Sequence, residues 1–396
     1  MEYLRFRLQT VYTGRSSSSQ QNQRNTPREE TMSANEVSKN ERRRKLLQTV
    51  GLSGAALSAA ALPTIAQGQQ SWRWRTTTVV PESSMFYEMA APFVKRVAEM
   101  TGGRVRLQVF PPGVIAPALE GYKAVEDRLA DAGHLTPLYV VNRDPVNAYY
   151  GGHPGGMPPE MLLAWLYNGG GQALLAEHRR TTMKMHSMVV GVGPAEIWHG
   201  HKPIRTAADL KGVKFRASGA WAAILNEKFG AAATTVAGSE VYPMLERKGV
   251  DVVEWSGPAE NLKMGLQNAA PYIMVPGAHT NAFSFEFMLP IATWDPLPAE
   301  IKQAIEAAAK LSTLEILLDW TMQDIEAMKK IRAGKARVIE VDPSLIKDIR
   351  EAGRDWANQK AAERSKTGDN WMKRVTDSYY GFYDSWLTNA SYRTLD

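Results

Sequence analysis

The chain has 396 residues, a length that suggests two or three domains. It contains no Cys, which excludes disulfide frameworks, thiol nucleophiles, cysteine zinc sites and iron–sulfur clusters. Most of the formal charge of +6 sits at the N-terminus, where residues 1–66 hold ten Lys or Arg against five Asp or Glu. The rest is nearly neutral and offers no basic footprint for nucleic acid.

Residues 1–40 are polar, rich in Ser, Gln, Asn and Arg, and too poor in apolar side chains to bury a core; Met32 is a candidate start. Arg42-Arg43-Arg44-Lys45 precedes an uncharged run from Leu46 to Ala61, then Pro63 and the small-residue stretch Thr64-Ile65-Ala66. This is the charged, apolar and cleavage pattern of an export signal. The adjacent arginines and weakly apolar run point to twin-arginine export, with cleavage after Ala66 and a mature chain of residues 67–396. The run is too short for a spanning helix, and no apolar stretch of about 18 residues follows it.

Beyond the signal, Trp72–Val80 reads as a strand and Phe86–Met100 as a helix, with Ala90, Phe93, Val94 and Val97 at helical spacing and Gly102-Gly103 as its stop. Arg104–Phe110 reads as a strand, Ala116–Leu129 as a helix and Ala132–Val140 as a strand. Such β-α-β-α-β order predicts a parallel sheet with helices on its faces. Residues 151–159 form a Gly/Pro-rich loop, and a helix over Met161–Glu177 is broken at Gly169-Gly170-Gly171. A second series follows: strands at Met188–Val192, Val213–Arg216, Thr234–Val236 and Val250–Trp255, with helices at Ala207–Leu210, Trp221–Phe229 and Val241–Lys248. Pro298–Arg332 predicts one helix about 50 Å long, more than one small domain needs. Three further helical segments end in the aromatic run Tyr379, Tyr380, Phe382, Tyr383 and Trp386.

Enzyme signatures are missing from the mature chain: there is no GxSxG and no Walker loop, and Glu196 stands where the dinucleotide fingerprint needs its third glycine. His199 and His201 form an HxH, read as part of a polar turn rather than a metal pair. Two segments stand out. Gly212-Val213-Lys214-Phe215-Arg216 ends a strand in a guanidinium ahead of the flexible Ala217-Ser218-Gly219, well placed to clamp a carboxylate in two-pronged fashion. Asp251-Val252-Val253-Glu254-Trp255-Ser256-Gly257-Pro258 runs an apolar strand into an acid, a Trp and a turn.

Read together, LKGVKFR, GSEVYPMLERKGVDVVEWSGP and NAAPYIMVPG resemble the solute-binding proteins of tripartite ATP-independent periplasmic (TRAP) transporters, of the DctP-type branch that binds 2-oxo acids and lactate. The likeness continues through RVRLQVFPPGVIAP, HLTPLYVVNRDP and PPEMLLAWLYNGGG, and covers residues 70–390. It implies an α/β, two-lobed periplasmic binding protein of the type II kind, with a long helix spanning both lobes and a hinge that closes the cleft over a ligand. The division it suggests is lobe 1 at 67–192, lobe 2 at 193–282, a crossing strand at 283–297 that Glu286 begins, the long helix at 298–332 and C-terminal helices at 333–396.

By the same resemblance, Arg216 pairs with the ligand carboxylate, Tyr139 contacts the ligand from the first lobe, and Glu254 and Trp255 lie at the cleft floor. A sodium or calcium ion sits beside the ligand in this branch, held by a Gln, the Trp backbone oxygen and a Glu about 25 residues further on. Here that Glu position carries Thr280 and the Gln position carries Glu196. Either Glu196 supplies the carboxylate that Thr280 lacks, with Trp255 and Thr280 completing the set, or the ion is lost. His279 is a candidate hydrogen-bond donor to the ligand. The implied function is capture of a small organic carboxylate, such as pyruvate or lactate, in the periplasm and its delivery to a TRAP permease, without catalysis. Alternatives are a larger sugar acid or aromatic acid as ligand, a periplasmic hydrolase or lyase using Glu254 or Glu196, and a ligand-free sensing partner. The protein is expected to be a monomer or a homodimer paired through its C-terminal aromatic run.

Overall fold

Strand β1 (Trp72–Thr78) pairs in parallel with β2 (Val105–Phe110), from Trp72↔Val105 to Thr77↔Phe110. The helix Ala90–Met100 between them buries Ala90, Phe93 and Val97. It stops at Gly102 and Gly103, whose φ values of 59° and 78° favour glycine. Strand β3 (Ala132–Leu135) joins β1 in parallel. After β4 (Met185–Gly193) the chain builds a second sheet from β5 (Trp198–Gly200), β6 (Lys214–Arg216), β7 (Ala232–Thr234), β8 (Val252–Glu254) and β9 (Tyr272–Val275). Strand β10 (Phe283–Pro290) returns to the first sheet, between β3 and β4 and antiparallel to both; β11 (Arg337–Glu340) adds to the edge of the second beside β9. The orders are β2-β1-β3-β10-β4 and β11-β9-β5-β8-β6-β7. The computed structural model describes residues 70–390 and Tyr392, so the export-signal reading of residues 1–66 lies outside the described residues.

The centre of the first sheet is a continuous buried run rather than an alternating one: every residue of β10 is buried. Glu286 lies in the middle of that strand, not at its start, and is ion-paired with the equally buried Arg179 at 2.9 Å. The hydroxyls of Tyr122 and Ser187 donate to the same carboxylate, and Arg179 also donates to Asn147 Oδ1 at 2.6 Å. This closed polar network lets an acid stand in the sheet core.

The helix Ala299–Ala333 has 35 residues. It packs on β4 and on the helix Ala90–Met100 at the first sheet, and on the helix Pro258–Met264 that follows β8. Among the described residues no helix is long and apolar enough to cross a membrane.

Four expectations need correction. The strand over Ala132–Val140 ends at Leu135, because Pro137 has no N–H for the ladder; Pro137–Val140 instead forms a 3-10 turn that carries Tyr139. The first sheet is mixed rather than parallel, since β10 runs against β3 and β4. His199 lies inside strand β5 and is buried, not in a polar turn. The C-terminal part contributes β11 and two helices, Pro343–Ser365 and Trp371–Asn389, rather than three helical segments. The aromatic run belongs partly to the chain's own core: Tyr379 and Tyr383 are buried, and Tyr379 packs edge-on against Trp165 at 5.1 Å.

Candidate functional site

Strands β6 and β8 are parallel neighbours, with Arg216 opposite Val253, so Arg216 and Glu254 emerge side by side at their C-terminal ends. In open α/β sheets that end of the strands is where ligands bind. Arg216 Nη1 donates to the Glu254 backbone oxygen at 3.0 Å and to Glu254 Oε1 at 2.8 Å, and Nη2 donates to the Val236 oxygen at 2.9 Å. Three of the five guanidinium N–H bonds are so used. Nε, buried, has no partner. The guanidinium also lies 5.4 Å from the centre of the Trp255 ring.

Trp255 is fixed from three sides. Its indole N–H donates to Glu260 Oε1 at 3.0 Å, and its ring meets Phe86 edge-on at 5.2 Å. Gly238 leaves the space that the ring edge fills: a Cβ there would stand 2.2 Å from Trp255 Cη2. Phe86 comes from the first-sheet side of the chain. So does Tyr139, whose phenol lies beside Arg216 and has its pKa raised, by burial first and by Glu254 and Glu196, against the lowering effect of Arg216.

Glu196 stands in the link between β4 and β5. Its backbone N–H donates to the Thr280 oxygen at 3.0 Å. Gly277 makes the approach of the two segments feasible, since a Cβ there would fall 1.7 Å from the Glu196 oxygen. His279 accepts the Trp198 indole N–H at Nδ1, 2.8 Å away, and its Nε2 lies 3.4 Å from Glu196 Oε2 and 3.4 Å from Glu254 Oε2. Burial and the Glu254 charge push the Glu196 carboxyl well above the usual range. Burial acts the same way on Glu254, but His279 and Arg216 overrule it and hold that carboxyl low. Burial lowers the His279 pKa, and the two acids outweigh it to leave the pKa raised.

These groups surround one cavity with about 20 Å³ of free space. Glu196, Arg216, Glu254 and Trp255 form its second-sheet wall; Phe86, Thr136, Tyr139 and Phe283 form the other. The structure thus brings Arg216, Tyr139, Trp255, Glu254 and Glu196 to one cavity, with His279 directly behind the two acids. The Thr280 side chain is not among the groups that line it and packs at Gly152, where its Cγ2 would lie 2.8 Å from a Cβ. Sequence reasoning missed Phe86, Phe283, the Val236 carbonyl and Trp198, none of which carries a local signal. His201 is not paired with His199 at a metal; its Nε2 meets the Leu245 oxygen at 2.8 Å. Among the described residues, Glu196, Glu254 and His279 form the one group of His, Cys, Asp or Glu with three potential metal-ligand atoms in mutual reach, all within 4.8 Å.

A sequence model described as DctP, bacterial extracellular solute-binding protein, family 7, matches residues 76–363. The monocarboxylate 2-oxoacid-binding periplasmic protein of Nostoc sp. (strain PCC 7120) is 26% identical over 346 residues, 86% of this chain and 93% of that protein. Two solved structures share the fold. The TRAP periplasmic solute-binding protein of Pseudoalteromonas atlantica T6c, with bound sodium and pyruvate, is 24% identical with a TM-score of 0.74, covering 83% of this chain and all (100%) of that one. Its counterpart from Colwellia psychrerythraea, with bound calcium and pyruvate, is 23% identical with a TM-score of 0.74, covering 82% and 98%.

Proposed function

The chain belongs to the DctP family of bacterial extracellular solute-binding proteins, family 7, and from that membership we propose that it captures a small 2-oxo or 2-hydroxy monocarboxylate, such as pyruvate or lactate. It is a binding protein and not an enzyme: the acid leaves as it entered. It acts outside the cytoplasm, where it hands its cargo to a TRAP permease. Export by the twin-arginine route, through Arg42-Arg43-Arg44 and cleavage after Ala66, belongs to the same proposal; sequencing the mature N-terminus tests it.

The observation that carries this reading is a buried cation at a cavity, with its Nε–H left without a partner. Arg216 lines the cavity with Nε–H and one Nη2–H not engaged by the strand ends. A carboxylate that takes both gains two charge-assisted bonds where water is excluded. Phe86, Phe283 and Trp255 supply apolar walls for a short chain, and the Tyr139 phenol a polar contact from the opposite wall. Free space of about 20 Å³ is room for about one water, so the walls must part to admit any acid, and a short one asks the least of them.

We assign residues 67–192 to lobe 1, 193–282 to lobe 2, 283–297 to the crossing strand and 298–332 to the spanning helix; the return of β10 to the first sheet supports the boundary at 283. The lobes supply opposite walls, so ligand bound to both favours the closed state. The test is a thermal-shift panel of pyruvate, lactate, galacturonate and benzoate, with the bound compound recovered and identified. A shift confined to the short acids, with the acid recovered intact, is expected. Turnover, or a shift confined to the larger acids, overturns the proposal.

A further inference from the structure

We infer that the His279 imidazole does the work of a cation between Glu196 and Glu254, and that this chain binds its acid without sodium or calcium; the inference rests on the carboxylate-capture reading above. The relatives from Pseudoalteromonas and Colwellia hold pyruvate together with sodium or calcium. In this chain the one group of described residues with ligand atoms in mutual reach, Glu196, Glu254 and His279, does not suit such an ion. The deciding contact is the 2.8 Å bond from Trp198 Nε1 to His279 Nδ1. Indole N–H is a donor only, so Nδ1 must present its lone pair. A neutral imidazole carries one proton, and that proton is then on Nε2.

Nε2 is the atom that faces both acids, 3.4 Å from Glu196 Oε2 and 3.4 Å from Glu254 Oε2. An N–H therefore fills the gap between the two carboxylates, and a protonated nitrogen has no lone pair to give a metal. A metal-bound histidine ordinarily donates its other N–H to an acceptor. Here the other nitrogen faces a donor, so metal binding through Nε2 would set two buried N–H groups against each other. The ring has little room to escape this: His279 is fully buried, with the Trp198 and Trp221 rings 5.4 Å and 5.7 Å away.

The remaining oxygens do not repair the set. Sodium and calcium take several oxygen ligands. Glu254 Oε1 is held by Arg216 and the Thr280 side chain packs at Gly152, which leaves Glu196 Oε2 as the one oxygen of the two acids that is buried without a partner, fewer than such an ion takes. Beside an anionic ligand a cation offsets negative charge. In this pocket Arg216 serves Glu254 through Nη1 and offers its Nε edge to the ligand, and the Nε2–H of His279 gives a positive edge between the acids. Trp198, Glu196 and His279 thus act as one unit, with Trp198 positioning the histidine proton.

Calorimetric titration with pyruvate tests this on the full-length protein, stripped with EDTA and exchanged into choline chloride. The expected result is an affinity within about threefold of that measured after adding sodium or calcium chloride. Binding that appears only with added cation overturns the inference and leaves the carboxylate reading standing. No binding of any small carboxylate in either buffer overturns both. His279→Gln retains an N–H donor and is expected to keep cation-independent binding, whereas His279→Leu should lose about ten- to a hundredfold. Unchanged affinity in folded His279→Leu contradicts the assignment. Should that variant not fold, cation dependence in His279→Gln would contradict it equally.

Discussion

Arg216 and Glu254 end adjacent parallel strands and are joined twice, side chain to side chain at 2.8 Å and side chain to backbone at 3.0 Å, with both residues buried. The pair fixes the guanidinium plane before any ligand arrives. It also makes each partner the other's counter-charge. Glu254→Gln therefore leaves a buried cation without its anion, at a cost of about 3–5 kcal/mol. An added carboxylate ligand restores an anion to the same cation. Scanning fluorimetry should show a lower melting temperature for the free variant and a larger pyruvate-induced rise than in wild type. An equal rise in the two proteins would mean that ligand and Glu254 do not share Arg216.

Glu260 ties the cavity floor to the opposite wall. One carboxylate oxygen accepts the Trp255 indole at 3.0 Å; the other accepts the Met85 backbone N–H at 2.8 Å, at the start of the helix that carries Phe86. Glu260→Ala leaves two buried N–H groups without partners, each worth about 1–3 kcal/mol. The closed state is expected to weaken, with pyruvate dissociating about ten times faster in stopped-flow displacement. An unchanged rate would remove Glu260 from closure.

The Arg179–Glu286 network holds β10 in the first sheet. Burial raises the Glu286 pKa, but Arg179 and the donor hydroxyls outweigh it and keep the carboxyl ionised. Arg179→Met should cost about 3–5 kcal/mol in urea unfolding, because the remaining buried charge is unpaired. Arg179→Met with Glu286→Gln should recover part of that loss.

Asp324, on the long helix, accepts the Ala259 N–H at 2.7 Å, and burial pushes its pKa from 3.8 to about 7. A folded pKa above the unfolded one in an acid means that stability is full below about 4 and is lost as pH rises toward 7. The upper bound of that loss is on the order of 4 kcal/mol. Melting temperatures of wild type minus Asp324→Asn should fall across this window and level off above it; a flat difference would contradict the assignment.

How far the sequence can be read depends on the range of the interactions. Arg216 and Glu254-Trp255 were legible because a strand and the polar residue at its end lie within a few positions. The long helix was legible for the same reason, its start and stop falling within one residue of expectation. The short strands Tyr272–Val275 and Arg337–Glu340 were not, because each is stabilised by a partner more than sixty positions away rather than by its own pattern. Tyr139 was placed at the site but on the wrong element, since Pro137 was read through instead of as the end of a ladder. That the resemblance puts Thr280 where it implies an acid could be read from the sequence. The bond from Trp198 to His279 crosses 81 positions and only folding reveals it.

Central to this account is the two-pronged grip of Arg216 on a carboxylate, and Arg216→Lys probes it while preserving the charge beside Glu254. Titrated with pyruvate by calorimetry, wild type should bind at one site per chain, and folded Arg216→Lys at least about tenfold more weakly. Equal affinity in the two proteins would contradict the account.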